Sequence, residues 1–250
     1  MKIGLIGFGR FGSLLYKHIS TAANVIVYDP RQSQKKENQH IPFVQLPQVS
    51  DSELIILAVP VRAVPEVSRS IAPYLPAGST VMDVCSVKEY PLQVMEKHLP
   101  KNVYILGTHP LFGPDSVQNS LQGHFMILTP YRIPIAFLAD LKKFWSDLGI
   151  KIVEMSAEEQ DRLMAWSLAL THFLGRSLHD LPLANPTVST KDFQNLISLT
   201  QKINRDTWEL FEDMHRFNPY TREMRQMLLA NMLALKEKLD RSSDPLAEDV

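Results

Sequence analysis

Short apolar runs separated by polar, turn-forming stretches fill the first 150 positions. The runs at 3–6, 25–28, 54–59, 80–84, 103–106 and 125–128 are too short for helices and rich in valine and isoleucine, so they predict six strands. Polar residues do not alternate regularly within them, which predicts strands covered on both faces, as in a parallel sheet wrapped by helices. The polar segment 31–40 reads as a solvated helix or loop after the second strand.

Beyond residue 150 the apolar positions recur at helical spacing, and start signals divide the segment into three helices at roughly 157–181, 190–215 and 219–240. Ser156 with Glu159 forms a capping box, Ser189 with Asp192 repeats it, and Asn218-Pro219 supplies a cap followed by proline at the first helical position. The first helix carries Leu163, Met164, Trp166, Leu168, Leu170, Phe173, Leu174 and Leu178, too many apolar positions for one stripe. That predicts burial by several neighbours and a surface that calls for a second subunit. Residues 241–250 are polar and unpatterned and are expected to fray.

Composition sharpens the division. Residues 1–150 hold 13 of 17 prolines and 9 of 10 glycines, so the two parts are built differently. The 26 basic and 27 acidic residues leave a formal charge of −1, with no general electrostatic pull toward nucleic acid or an anionic membrane. Cys85 is the sole cysteine, which excludes an intrachain disulfide and a thiolate zinc cluster and fits a reducing compartment; no metal site is expected. The N-terminal apolar run stops at Gly7, too short for a signal-peptide core, and no run of ~18 apolar residues occurs elsewhere, so a cytoplasmic location is expected.

Gly7-Phe8-Gly9-Arg10-Phe11-Gly12 is a G-x-G-x-x-G loop between the first strand and an amphipathic stretch, the context in which such a loop holds a dinucleotide. Gly7 permits the tight turn, Gly9 lets the backbone approach a pyrophosphate, and Gly12 lets helix and strand pack closely. The second strand ends at Asp29, 17 residues beyond Gly12, near the spacing at which an acid receives the adenosine ribose hydroxyls. Asp29 favours NAD, because a 2′-phosphate there meets a like charge, whereas Arg31 is able to pair with that phosphate and keeps NADP open. A turn-forming role for Asp29 before Pro30 fits either cofactor. Val59 and Pro60, at the end of the third strand, complete the candidate cofactor-binding set. The fold class expected is therefore α/β, a Rossmann-type doubly wound sheet in residues 1–155 followed by an all-α domain in 156–250.

Two segments place polar residues at strand ends, the edge where doubly wound sheets hold ligands: Asp83-Val84-Cys85-Ser86-Val87-Lys88 and Thr108-His109-Pro110-Leu111-Phe112-Gly113-Pro114-Asp115-Ser116. The spacing delivers His109 to the sheet edge on a loop stiffened by two prolines, where an imidazole is able to accept a proton while a nicotinamide accepts a hydride. By residue type alone His109 reads equally as a surface histidine, Ser86 as an N-cap and Lys88 as a solvated lysine.

The glycine loop, DVCSVK, THPLFGPDS and the helical segment Ala169-Leu170-Thr171-His172-Phe173-Leu174-Gly175-Arg176 together resemble, in order and spacing, the prephenate and arogenate dehydrogenases of tyrosine biosynthesis. The resemblance runs from about residue 1 to 215. It implies oxidative decarboxylation of a cyclohexadienol: hydride passes from the ring carbon bearing the hydroxyl to the nicotinamide, the hydroxyl loses its proton, and carbon dioxide departs as the ring becomes aromatic. By motif match, His109 accepts the hydroxyl's hydrogen bond and has to be neutral, so activity is expected to fall at low pH. Ser86 binds the same hydroxyl or orients His109, with Lys88 as a helper. His172 and Arg176, four apart on one helix face, and Arg205 are the implied substrate-binding residues, Arg205 gripping a carboxylate. Arg176 reads equally as the partner of an acid. Cys85 reads as a packed thiol, and Asp115 either faces a substrate amino group or forms a turn. The leading expectation is a prephenate dehydrogenase using NAD, a homodimer through its helical domain, with arogenate dehydrogenase as the alternative.

Overall fold

The computed structural model describes residues 1–117, 119–179, 181–183 and 188–242. The expectation of a frayed tail from 241 lies almost wholly outside them. The chain divides into two compact units, Met1–Asp161 and Arg162–Val250.

From the N-terminus the elements follow in the order β1 (Lys2–Ile6), α1 (Arg10–Ile19), β2 (Asn24–Tyr28), α2 (Leu46–Ser50), β3 (Leu54–Leu57), α3 (Val64–Ile71), β4 (Thr80–Asp83), α4 (Glu89–His98), β5 (Tyr104–Pro110), β6 (Phe125–Arg132), α5 (Ile135–Asp147), β7 (Lys151–Glu154) and α6 (Ala157–Met164). They build one sheet of order β2-β1-β3-β4-β5-β6-β7. β1 to β5 are parallel, with Ile6 opposite both Tyr28 and Leu57. The strands are apolar throughout because both faces are covered: Leu5, Val27, Ile56, Met82 and Leu106 are all inaccessible to solvent. The chain leaves β1 between β2 and β3, the switch point that opens a crevice beyond the carboxyl ends of the strands.

Three features depart from the expected sheet. β6 runs antiparallel to β5 because the connection between them contains no helix to carry the chain back across the sheet. β7 is an additional edge strand, pairing parallel to β6. Only Ile152 and Val153 in it are apolar, so the sequence offers little strand signal there. β5 continues through Pro110 rather than ending at Leu106, since β6 pairs with it beyond the last residue matched by β4.

The second unit contains a π-helical turn (Ala165–Ala169), α7 (Leu170–Ser177), α8 (Lys191–Ile203), α9 (Trp208–Arg216) and α10 (Thr221–Ser242). The helix expected at 190–215 is broken after Asn204, where Thr207 accepts the N–H of Leu210 and starts α9. Thr190, rather than Ser189, caps α8 by accepting from Phe193 N–H. The Asn218 side chain accepts from Tyr220 N–H, and α10 begins at Thr221. Leu163 and Trp166, expected in the core, are about half exposed. No helix among the described residues is long and apolar enough to cross a membrane.

Candidate active site

The glycine loop takes the shape its sequence predicts. Gly7 has φ +97°, and a Cβ there falls 2.3 Å from the Ala58 carbonyl oxygen and 3.0 Å from Val59 Cγ1, so the loop lies directly on the end of β3. A Cβ on Gly12 falls 2.1 Å from the Gly7 carbonyl oxygen, which only glycine avoids. Gly9 is different: its Cβ direction is open for 4 Å. Gly9 also heads α1 without a side-chain cap, and no acidic residue follows in the first turn, so the helix N–H groups and the dipole are left for an anion. This cradle fits the pyrophosphate of a dinucleotide.

Asp29 is engaged locally. Its carboxylate accepts from Phe8 N–H at 2.8 Å, from Arg31 N–H at 2.9 Å and from Gln32 N–H at 3.0 Å, so it forms the turn and ties β2 to the glycine loop. Phe8 itself is buried, edge-on to Tyr16 and Phe43, which leaves its backbone rather than its ring for the loop. Arg31 and Pro60 are exposed. Two contacts connect the glycine loop to the segment after β5: Arg10 donates to Asp115 at 2.7 Å, and the Phe11 and Phe112 rings lie 6.1 Å apart.

Beyond the end of β4 the structure builds a buried polar cluster. Lys88 is not a solvated lysine: its side chain and that of Asp83 are both fully buried, with the ammonium donating to Asp83 Oδ2. Cys85 N–H donates to the same oxygen at 2.9 Å, and the Thr108 hydroxyl donates to the Asp83 carbonyl. Cys85 is a packed thiol whose Sγ lies 3.9 Å from the Val59 carbonyl oxygen. Ser86 is not the cap of α4. That cap is Asp161, which accepts from Lys88 N–H at 2.7 Å and Glu89 N–H at 2.9 Å, while Gln160 donates to the Ser86 carbonyl. Burial raises the Asp161 carboxyl to about 6, against the pull of those two hydrogen bonds. Sequence reasoning missed Asp161 because it stands in a run with Glu158 and Glu159 that looks uniformly solvated.

His109 sits in β5 itself, paired with Ile127, rather than on a loop. It is only 6% exposed, which excludes the surface reading. Burial, helped by the charge of Lys88, depresses its pKa to about 3, so the imidazole is neutral throughout the neutral range. The low-pH loss of an acceptor there is accordingly moved well below the ordinary histidine range. His109 Nδ1 and Ser86 Oγ are both buried with no hydrogen-bond partner among the described residues. His109 follows by three residues Leu106, the last residue of β5 matched by β4, and Ser86 follows by three residues Asp83, the last residue of β4. Two orphaned polar atoms at the ligand edge of the sheet are suited to a hydroxyl that both donates and accepts.

In the second unit the remaining candidates converge on the turn between α8 and α9. His172 Nε2 lies 4.0 Å from Asp206 Oδ2, and Arg176 donates to the carbonyls of Asp206 and Thr207 while its guanidinium stands over the rings of Trp208 and Phe211. Arg176 thus pairs with backbone oxygens rather than with an acid. Burial lowers the pKa of His172, and that of His215 to about 4 with Arg225 beside it. Arg205 is exposed and lies in the turn rather than on a helix.

Residues 14–154 match the family model described as the prephenate dehydrogenase nucleotide-binding domain, and residues 177–249 match that of a TYRAAT1-like C-terminal domain. The chain is 29% identical to arogenate dehydrogenase 2, chloroplastic, of Arabidopsis thaliana, over 96% of this chain and 70% of that protein. It is 28% identical to arogenate dehydrogenase 1, chloroplastic, of the same plant, but spans only 39% of that protein. Among solved structures, prephenate dehydrogenase from A. aeolicus, in complex with hydroxyphenyl propionate and NAD+, superposes with a TM-score of 0.79 at 21% identity, over 98% of this chain and 92% of that one.

Proposed function

Because this chain belongs to the prephenate and arogenate dehydrogenase family, we propose that it is a prephenate dehydrogenase that forms 4-hydroxyphenylpyruvate with NAD. The observation that carries this reading is the buried, neutral His109 with an unpartnered Nδ1 at the carboxyl edge of the sheet.

When bound, the nicotinamide supplies the acceptor for the hydride leaving the hydroxyl-bearing ring carbon, and loss of carbon dioxide then makes the ring aromatic. His109 accepts the hydroxyl proton. Because pairing with Ile127 of β6 fixes its backbone, it needs little reorganisation to do so. Ser86 hydrogen-bonds the same hydroxyl, and Gln160 and Asp161 fix the loop that presents it. Lys88 touches neither substrate nor cofactor in this account. Committed to Asp83, it keeps a buried positive charge near His109 that opposes protonation before substrate arrives. Gly7, Gly9 and Gly12, with Val59 beneath them, hold the pyrophosphate, and Asp29 reads the ribose through the lone pairs its local bonds leave. His172 and Arg205 bind the substrate, Arg205 as a carboxylate anchor. Arg176 positions the α8–α9 turn that carries Arg205.

The second reading, arogenate as substrate, is favoured by the names of the two Arabidopsis relatives. Leu233, Leu235 and Leu239 of α10 are more than half exposed, which supports a homodimer through the helical unit. The single cysteine supports a reducing, cytoplasmic location. Parallel kinetics with prephenate and arogenate, each with NAD and NADP, followed by absorbance of the reduced cofactor, test the proposal. The highest kcat/KM is expected for prephenate with NAD; higher values for arogenate favour the second reading, and no turnover with any pair overturns both.

A further inference from the structure

Arg10 is the first residue of α1, so its cation stands at the positive end of a helix dipole with no acidic residue in the first turn to offset it. The compensating charge comes from 105 residues away: the guanidinium donates to Asp115 Oδ2 at 2.7 Å, in a pair about half exposed at the arginine and three-quarters covered at the aspartate. Asp115 belongs to a turn that closes on itself. Ser116 N–H and Val117 N–H both donate to the Gly113 carbonyl, and the Ser116 hydroxyl accepts from Gly113 N–H. The same segment contacts the glycine loop again through Phe112 on Phe11. An ion pair and a ring contact therefore fasten the residues after His109 to the anion cradle.

We propose that Asp115 is a stand-in for the cofactor's pyrophosphate at Arg10, so that dinucleotide entry exchanges one anion for the other and releases the turn that follows His109. The inference rests on the dinucleotide reading of the glycine loop. A carboxylate and a pyrophosphate present the same chemistry to a guanidinium, two oxygens in a fork, but the pyrophosphate carries more charge and is also served by the first-turn N–H groups of α1. Arg10 is adjacent to Gly9, the glycine whose outward side is open. Binding of the dinucleotide thus competes with Asp115, and the competition couples the cofactor loop to the segment beside the proton acceptor. Cofactor binds before the turn is free to receive substrate.

Calorimetric titration of the full chain with ADP-ribose, which has the pyrophosphate and no nicotinamide, tests this without turnover. Because the pair is partly solvated, Asp115→Asn is expected to tighten ADP-ribose by about two- to five-fold, and Arg10→Gln to weaken it. The gain from Asp115→Asn should vanish in an Arg10→Gln background and with adenosine, which lacks the pyrophosphate. Unchanged ADP-ribose affinity in Asp115→Asn overturns the proposal, as does an equal gain in the Arg10→Gln background. Failure of the unaltered protein to bind either ADP-ribose or NAD is a different result, one that removes the dinucleotide reading itself.

Discussion

The Lys88 ammonium and the Asp83 carboxylate form an ion pair from which solvent is entirely excluded. Two ions buried together gain little over an apolar pair of the same volume, but removal of one strands the other. Lys88→Met and Asp83→Leu are each expected to cost about 3–5 kcal/mol, with the double variant recovering most of the loss. Urea denaturation checks this; additive costs would show that the two residues do not act as a pair.

Acid should destabilise the protein through its buried histidines. His109 and His215 are depressed to about 3 and about 4, and His172 is lowered as well, chiefly by burial. Their stabilising contribution is complete above the ordinary value of 6.5 and is lost as pH falls toward the folded values. For His109→Gln the decline from pH 6.5 to 4 should be shallower by about 1.4 kcal/mol per pH unit, the weight of one proton. Denaturation midpoints across that interval measure it, and an unaltered slope would mean that His109 is not buried neutral.

Asp161 has the opposite sign. Its carboxyl is raised from 3.8 to about 6, so its contribution to stability is present below 3.8 and is lost as pH rises through about 6, about 3 kcal/mol in full. Asp161→Asn, which cannot ionise, should therefore gain on the unaltered protein between pH 4 and pH 7.5. A constant difference across that range would show that the carboxyl is not desolvated.

Features set by local chemistry were legible in the sequence. The glycine loop is fixed by steric limits at Gly7 and Gly12, and the start of α6 by the reciprocal Ser156–Glu159 bonds, so a few adjacent letters suffice. Features set by distant partners were not. Nothing near His109 signals that β6 prolongs β5 past it, and nothing near Lys88 signals a cap arriving from Asp161, 73 residues away. The break at Asn204–Thr207 was missed because apolar spacing continues across it, although Thr207 is itself a good cap. Motif matching singled out His109, Ser86 and Lys88 alike; only the fold distinguishes the two with orphaned polar atoms from the one paired with Asp83.

The most direct test of His109 as proton acceptor is the turnover of His109→Asn with prephenate and NAD, measured alongside its NAD dissociation constant. The account predicts a loss in kcat on the order of 10²–10⁴-fold with cofactor affinity nearly unchanged. A variant that turns over at close to the unaltered rate would contradict it.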